Sequence, residues 1–544
     1  MPVSRLGPIR PKLIAGMWAI VFLVVPMLLG FISVGMGKDF NWDLKNYHYY
    51  VAYAYVTHRL GFDILPAQRQ TFYNPLLELP FYYMVRHFPA RVTGFLLGVV
   101  HGLNFSFVFL MTWSITKHGR RAVRFVIGLA AAVVAVIAPG FLSLLGNTMN
   151  DSLISLFVLS SLALLMAAHE RMGSAPGSPI LVRIAAAGLI IGLAAGLKPT
   201  AAVFAVGGAA ALFIFNGSWL GRLRLFAMYS TAGVCGALLS AGFWWRQMYV
   251  RYGNPFLPYF NNIFRSPYVA LDSWADTRFL PRHVWEYFVW PVLFSLDSYR
   301  VNQIKFLDIR FALLYVLCIL AVLAAGVRRI QAARGKSPGV HSNLFRRRSG
   351  NVLFIFMVAS FAVWMLSFSQ YRYIVALELL VPLCLLLVLD RLIASRKLLL
   401  TIAAISAIVT LSVLKPFNWG RLPWDDPYFS VRAPGLHLSQ DAVVVMLGWS
   451  PTAYVIPAFP PNYRFVRPEG NLNEGDAYGF FQEIKQLVQE SKEAIYILYD
   501  ENDRHVDLAA SSSRLGIEID TQDCAALVLD TPDKLLMCRA KQAP

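Results

Sequence analysis

Charge is scarce in this 544-residue sequence. Asp, Glu, Lys and Arg together make up 15% of it, where soluble domains carry about a quarter. Only 31 residues are acidic. Five cysteines and ten histidines show no metal-ligand spacing. There is no P-loop, no GxGxxG before a helix, no HExxH and no GxSxG, so nucleotide-driven chemistry has no support. No arginine-rich, aromatic-interleaved groove is present, which argues against a nucleic-acid partner. Internal repeats and low-complexity tracts are also missing.

What fills the sequence is apolar. Hydrophobic residues are 57% and mean hydropathy is +0.52. Repeated apolar runs of about 20 residues are long enough to cross roughly 30 Å of hydrocarbon as helices. The pattern predicts an α-helical polytopic membrane protein with about 11 spans, near 13–34, 91–115, 123–145, 150–168, 181–197, 200–215, 225–244, 310–327, 351–368, 373–389 and 397–414. The first run, Leu13 to Val34, follows Arg5, Arg10 and Lys12. It is too long for a signal-peptide core and no small-residue cleavage site follows, so it reads as a membrane helix.

Charge is unevenly spread. Residues 1–414 hold 37 basic and 13 acidic residues, a net of +24; residues 415–544 hold 12 and 18, a net of −6. Alternating sides from a cytoplasmic N-terminus puts the basic loops at Lys117–Arg121, Arg171–Arg183, Arg222–Arg224, Arg328–Arg348 and Arg391–Lys397 on one side, as the positive-inside rule requires. Segments 35–90, 245–309 and 415–544 then fall outside. The expected domains are a membrane domain over 1–414, with external loops 35–90 and 245–309, and a periplasmic α/β domain over 415–544. Tyr49 to Leu60 and Arg282 to Leu296 read as amphipathic interfacial helices. Arg328 to Ser349 reads as a flexible basic linker.

The tail alternates a strand (Ala442–Leu447), a helix (Tyr478–Ser491), a strand (Ala494–Tyr499), the stretch Arg504–Leu515 and a hairpin. Cys524 and Cys538 bracket that hairpin, as a disulfide in an oxidising compartment or as two free thiols. Cys235, Cys318 and Cys384 lie in apolar runs and read as small buried hydrophobes.

Polar chemistry concentrates in Gly35 to Pro75. Asp39 and Asp43 suit a general base for a hydroxyl acceptor, with burial raising the pKa; an ordinary loop acid or helix cap suits them as well. His48 suits a proton shuttle, a phosphate ligand or a structural role. Tyr47, Tyr49, Tyr50, Tyr53 and Tyr55 suit sugar stacking or an interfacial belt. Asn147 to Asp151 forms a polar turn between two spans, either a site wall or a helix cap. Lys198, Arg246 and Arg372 sit at outer span ends, the side the positive-inside rule disfavours, which points to a bound anion; a lone Lys198 also suits snorkelling. Glu378 reads as their ion-pair partner or as part of the site.

The arrangement resembles the polytopic glycosyltransferases of the GT-C superfamily that use polyprenyl-phosphate sugars. It is closest to bacterial families related to polyprenol-phosphate-mannose-dependent transferases. The resemblance rests on one span leading into a long external loop, on Asp43-Leu-Lys-Asn-Tyr47 and Phe72-Tyr-Asn-Pro75 in that loop, on Gly192-Leu-Ala-Ala-Gly-Leu-Lys198, and on a soluble α/β domain after the last span. It covers the whole chain as architecture. It implies a GT-C-like bundle in a bacterial inner membrane with its site at the periplasmic face. It implies transfer of one sugar from a polyprenyl-phosphate donor to a hydroxyl of a glycan, lipid or protein, with Asp43 as base and Asp39 as second candidate. Lys198, Arg246 and Arg372 would hold the donor phosphate; Asn46, Tyr47, His48, Tyr73, Asn150 and Asp151 complete the expected substrate-binding set. Some members need a divalent metal, and nothing in this sequence calls for a cofactor. A flippase or transporter, a non-catalytic envelope assembly protein, and a polymerase or ligase of lipid-linked saccharides are the rival readings.

Overall fold

The computed structural model describes residues 11–172, 177–334, 342–432, 434, 439–472 and 475–543. Arg5, Arg10 and much of the proposed basic linker, residues 335–341, lie outside the described residues.

Nine helices among the described residues are long and apolar enough to cross a membrane: Ala15–Met36, Ala90–Ile115, Asp151–Arg171, Ser178–Leu197, Trp219–Tyr252, Arg310–Ala333, Arg347–Ser367, Tyr371–Leu392 and Arg396–Val413. The two other predicted spans are shorter helices. The run over 123–145 divides into Arg121–Val136 and Pro139–Leu144, because Pro139 has no N–H to continue the first helix. The run over 200–215 contributes only Ala202–Leu212. The protein is thus a polytopic helical membrane protein with a small C-terminal sheet.

Small residues set the tightest packing. Gly188, Gly192 and Gly196 recur every fourth residue on helix Ser178–Leu197 and face helix Trp219–Tyr252. A Cβ on Gly192 would stand 1.9 Å from the Gly233 carbonyl oxygen, and one on Gly188 2.2 Å from that of Tyr229. Glycine lets the two backbones approach where lipid offers no hydrophobic drive for association. The glycines of Gly192-Leu-Ala-Ala-Gly-Leu-Lys198 therefore pack the helix, and Lys198 emerges at its end.

The basic loops gather at one end of the bundle. Lys117 N–H donates to the Leu344 carbonyl, Arg346 pairs with Glu170 at 2.8 Å, Arg348 donates to the Met172 carbonyl, and Arg396 to that of Ser342. The aromatic loops and the tail occupy the opposite end.

The tail holds a five-stranded sheet in the order Arg464–Val466, Ala442–Met446, Ala494–Asp500, Leu535–Gln542, Ile517–Ala526. The first three strands are parallel and the last two antiparallel to their neighbours. Helices Gly479–Glu490 and Leu508–Leu515 follow the predicted alternation. Cys524 and Cys538 are register partners on adjacent strands and are disulfide-bonded.

This sheet packs onto the first loop. Lys38 is 1% exposed; its ammonium donates to Asp530 (2.8 Å) and to the Tyr428 carbonyl (2.9 Å). Lys45 pairs with Asp533 at 2.7 Å. Arg59 is held by Asp63 and donates to the Pro461 and Tyr463 carbonyls. The segment expected as an interfacial helix over Tyr49–Leu60 is instead a helix at Tyr49–Val56, buried from Tyr49 to Ala54. Its rings pack against Phe429, Tyr428, Tyr454 and their neighbours in the tail. The tail covers the face that would otherwise meet lipid. The second expected interfacial helix is present at Glu286–Leu296. It buries Trp290 and Phe294 and exposes Phe288 and Leu296.

Asp530→Ala leaves the Lys38 ammonium buried with one carbonyl. Removing one partner of a buried pair costs about 3–5 kcal/mol. The expected outcome is a tail that limited proteolysis cleaves while the helical bundle stays intact; a protease pattern identical to wild type would show that this pair does not hold the tail.

Candidate functional site

The site is built where the first loop meets three helix ends. After Met36 the chain pairs briefly with the tail: Lys38 and Asp39 lie antiparallel to Leu422 and Arg421. Asp39 is 1% exposed. Its carboxylate accepts from Asn41 Nδ2 at 2.9 Å, from the Thr148 N–H at 2.8 Å and from Thr148 Oγ1 at 2.9 Å. It joins the loop to the polar turn 147–151. Asp39 is therefore buried and fully partnered, whereas Asp43, the other base candidate, meets an arginine.

Leu44–His48 is a π-helical turn, a distortion common at functional sites. It turns Asp43, Tyr47 and His48 toward the helix ends. Asn46 points the other way: its amide donates to the Ala67 carbonyl and to Gln70, each at 3.2 Å. Asn46 thus ties the loop to itself and stands apart from the cluster.

Phe72-Tyr-Asn-Pro75 supplies an anchor. The Phe72 carbonyl accepts from Trp244 Nε1 at 2.8 Å, and Asn74 donates to the Ser240 (2.9 Å) and Gly196 (3.3 Å) carbonyls. Tyr73, between the two contacts, turns inward. Its ring meets Tyr47 edge-on at 5.3 Å and its hydroxyl lies 2.9 Å from that of Tyr259.

Two ion pairs form the centre. Arg372 Nη1 donates to Asp43 Oδ2 at 2.6 Å, across 329 residues of sequence. Lys198 donates to Asp151 at 2.5 Å and to the Met149 carbonyl at 2.8 Å. Arg372 also contacts Met149 Sδ at 3.2 Å, and its Nε is buried with no hydrogen-bond partner among the described residues. Tyr373 sits beside both cations, 5.2 Å from Arg372 and 5.6 Å from Lys198 by ring centroid. Asn150 takes a left-handed backbone, φ 64°, which Asn tolerates better than most residues. Its amide donates to both oxygens of Glu78 at 3.0 Å. His48 Nδ1 stands 2.8 Å from Glu78 Oε2, within ion-pair distance. The angle is wrong for a hydrogen bond, so neither ring nitrogen has a hydrogen-bond partner among the described residues.

Asp43, Tyr47, His48, Tyr73, Asn150, Asp151, Lys198 and Arg372 thus share one cluster. Arg246 does not: it is exposed on helix Trp219–Tyr252 and has no ion pair among the described residues. Glu378 is not the partner of Arg372. It accepts from the Gly140 and Phe141 N–H groups, from Tyr371 and from Arg310. With Asp308, which Arg310 grips at 2.6 Å, it forms a buried network that holds Tyr371, the residue before Arg372. Glu78, Tyr259 and Tyr373 escaped the reading of the sequence. Glu78 had a signal, as a lone acid in the apolar stretch Leu76-Leu-Glu-Leu79. The two tyrosines had none among so many aromatics. No three His, Cys, Asp or Glu side chains among the described residues are placed to share a metal ion.

The electrostatics differ from expectation. Burial pushes the Asp43 carboxyl up, but Arg372, His48 and Lys198 outweigh it and hold it below the usual carboxylate value. Burial lowers the Lys198 ammonium, with Asp151 opposing and Arg372 assisting. Tyr47 and Tyr73 are pushed well above the usual phenol value, chiefly by burial, and remain neutral donors. Neither Lys198 nor Arg372 is a free cation. Each already has a carboxylate, so an incoming anion must compete for it.

Two outcomes test this geometry. Asp39→Ala strands the donors of Asn41 and Thr148 and should lower stability by about 1–3 kcal/mol, read by thermal unfolding in detergent. A depressed folded pKa contributes stability above the unfolded carboxylate pKa of about 3.9 and loses it as pH falls through the lower folded value. The stability gap between wild type and Asp43→Asn should therefore be full near neutrality and shrink in acid; a gap that widens in acid contradicts the assignment. No protein-family model matches this sequence, and no curated protein shows significant similarity to it.

Proposed function

We propose that the protein is a membrane glycosyltransferase of the GT-C type. It moves a single sugar from a polyprenyl-phosphate donor to a hydroxyl of a glycan, lipid or protein, at the periplasmic face of a bacterial inner membrane. The observation that carries this reading is the meeting of Asp43, Lys198 and Arg372, from three distant segments, at the membrane-facing end of an aromatic loop. A base candidate and two phosphate-binding candidates lie within one cluster, which is what in-line sugar transfer from a phosphate needs.

In the proposed reaction the acceptor hydroxyl gives its proton to the Asp43 carboxylate as its oxygen bonds to the sugar's anomeric carbon. The bond from that carbon to the phosphate oxygen breaks, and the electron pair leaves with the phosphate. Arg372 and Lys198 stabilise the charge that gathers there. Tyr47 and Tyr73 offer rings and neutral hydroxyls to the sugar. The Asp43–Arg372 pair gives the order of events. Donor phosphate draws the guanidinium from Asp43, and the carboxylate regains basicity once the donor is in place. The basic loops at the far end support a cytoplasmic placement of that end. The disulfide of the tail suits an oxidising compartment.

The test is transfer in proteoliposomes from a panel of radiolabelled polyprenyl-phosphate sugars. Asp43→Asn should retain donor binding and lose transfer by about 10²–10⁴-fold, the range of a general base. Arg372→Gln should weaken donor binding as well. Asp39→Asn protein that folds should still transfer. Wild type that transfers no sugar yet moves the labelled lipid across the bilayer would replace the enzyme reading with a flippase.

A further inference from the structure

A second polar feature lies at the opposite end of the bundle, away from every residue of the candidate site. There a cavity of about 260 Å³ opens between the first helix, Ala90–Ile115 and Arg121–Val136. Four aromatic rings wall it. Trp18 stands edge-on to Phe109 (6.0 Å, 86°) and to Trp113 (5.8 Å, 65°), and Phe109 packs against Phe125 at 5.5 Å. Arg121 and Arg124 complete the lining.

The arginines are the anomaly. Arg124 lies over the Trp113 ring at 4.3 Å and donates from Nη2 to the Trp113 carbonyl at 2.6 Å. Its Nε is buried with no hydrogen-bond partner among the described residues. Neither Arg121 nor Arg124 has a carboxylate partner among the described residues. Arg346 is also within electrostatic range of Arg124, and the nearby Glu170 is already held by Arg346 at 2.8 Å. Positive charge is thus concentrated on a partly open cavity without a protein counter-ion. At the other end of the bundle, Lys198 and Arg372 each have a carboxylate.

We infer that this cavity binds the phosphate of an anionic phospholipid. Arg121 and Arg124 would take the phosphate oxygens, and the aromatic walls would receive the glycerol and the first acyl carbons. Three features favour a lipid. The cavity opens between apolar helices, two of which are long enough to cross a membrane. It lies at the basic end that the positive-inside rule assigns to the cytoplasmic leaflet, where anionic lipids attract juxtamembrane cations. Its walls are aromatic, as at a headgroup boundary. The site is independent of the glycosyltransferase reading and stands or falls without it.

The experiment uses full-length protein, delipidated in detergent. Native mass spectrometry and thermal unfolding are followed on adding phosphatidylglycerol, phosphatidylcholine or inorganic phosphate. Phosphatidylglycerol should add one tightly bound lipid and raise the unfolding midpoint, phosphatidylcholine should do so weakly, and phosphate should do neither. Each arginine should contribute about fivefold to lipid affinity, so Arg121→Gln weakens it by about that factor and the double variant with Arg124→Gln removes the tight site. Arg121 is exposed, so the single variant reads binding with no cost to folding. Unchanged phosphatidylglycerol affinity in the single variant overturns the proposal. A midpoint shift reproduced by inorganic phosphate alone also overturns it, by assigning the site to a free anion.

Discussion

Two adjacent residues, Lys38 and Asp39, join three parts of the structure. Lys38 reaches into the tail through Asp530 and the Tyr428 carbonyl. Asp39 reaches into the bundle through Thr148. Their backbones pair with Arg421 and Leu422. Both side chains are almost fully buried, and a buried charge is tolerated only when its hydrogen-bonding capacity is filled. This requirement fixes where the first loop begins. Asp43, four residues after Asp39, meets Arg372 at the helix ends.

The candidate site is more nearly self-neutralised than a phosphate pocket need be. Asp43 holds Arg372, Asp151 holds Lys198, and Glu78 holds Asn150. These pairs leave neither cation unpaired among packed helix ends, where a lone buried charge would be costly. They also make anion binding an exchange, in which the ligand replaces a carboxylate. Under the proposed function that exchange is useful, because the carboxylate it frees is the one that must accept a proton. Behind the site, the network of Asp308, Arg310, Glu378 and Tyr371 places Arg372 from inside the bundle. Gly188, Gly192 and Gly196 do the same for Lys198 through close helix packing.

The two ends of the bundle differ in their cations. At the aromatic end, basic residues at the site are few and paired. At the other they are numerous, and Arg121 and Arg124 face a cavity with no carboxylate. The asymmetry follows the positive-inside rule in number. The pairing follows local dielectric, since a cation among packed helix ends needs a partner more than one near a headgroup layer.

Hydropathy, charge bias and turn chemistry were enough to show a polytopic helical protein, its basic end, its aromatic loops and the strand–helix alternation of the tail, because each depends on local composition. Asp43, Lys198 and Arg372 were legible for the same reason: a charge beside an apolar run stands out. The tertiary structure decided the rest. Asp39 and Asp43 look alike in sequence, yet one accepts five hydrogen bonds from Asn41 and Thr148 while the other meets Arg372. Tyr49–Val56 carries the aromatics of an interfacial helix, yet the tail covers it. Arg246 shares the position of Lys198 at a helix end, yet its side chain lies on the exposed face. Partner, burial and facing depend on segments hundreds of residues away, and no local pattern encodes them.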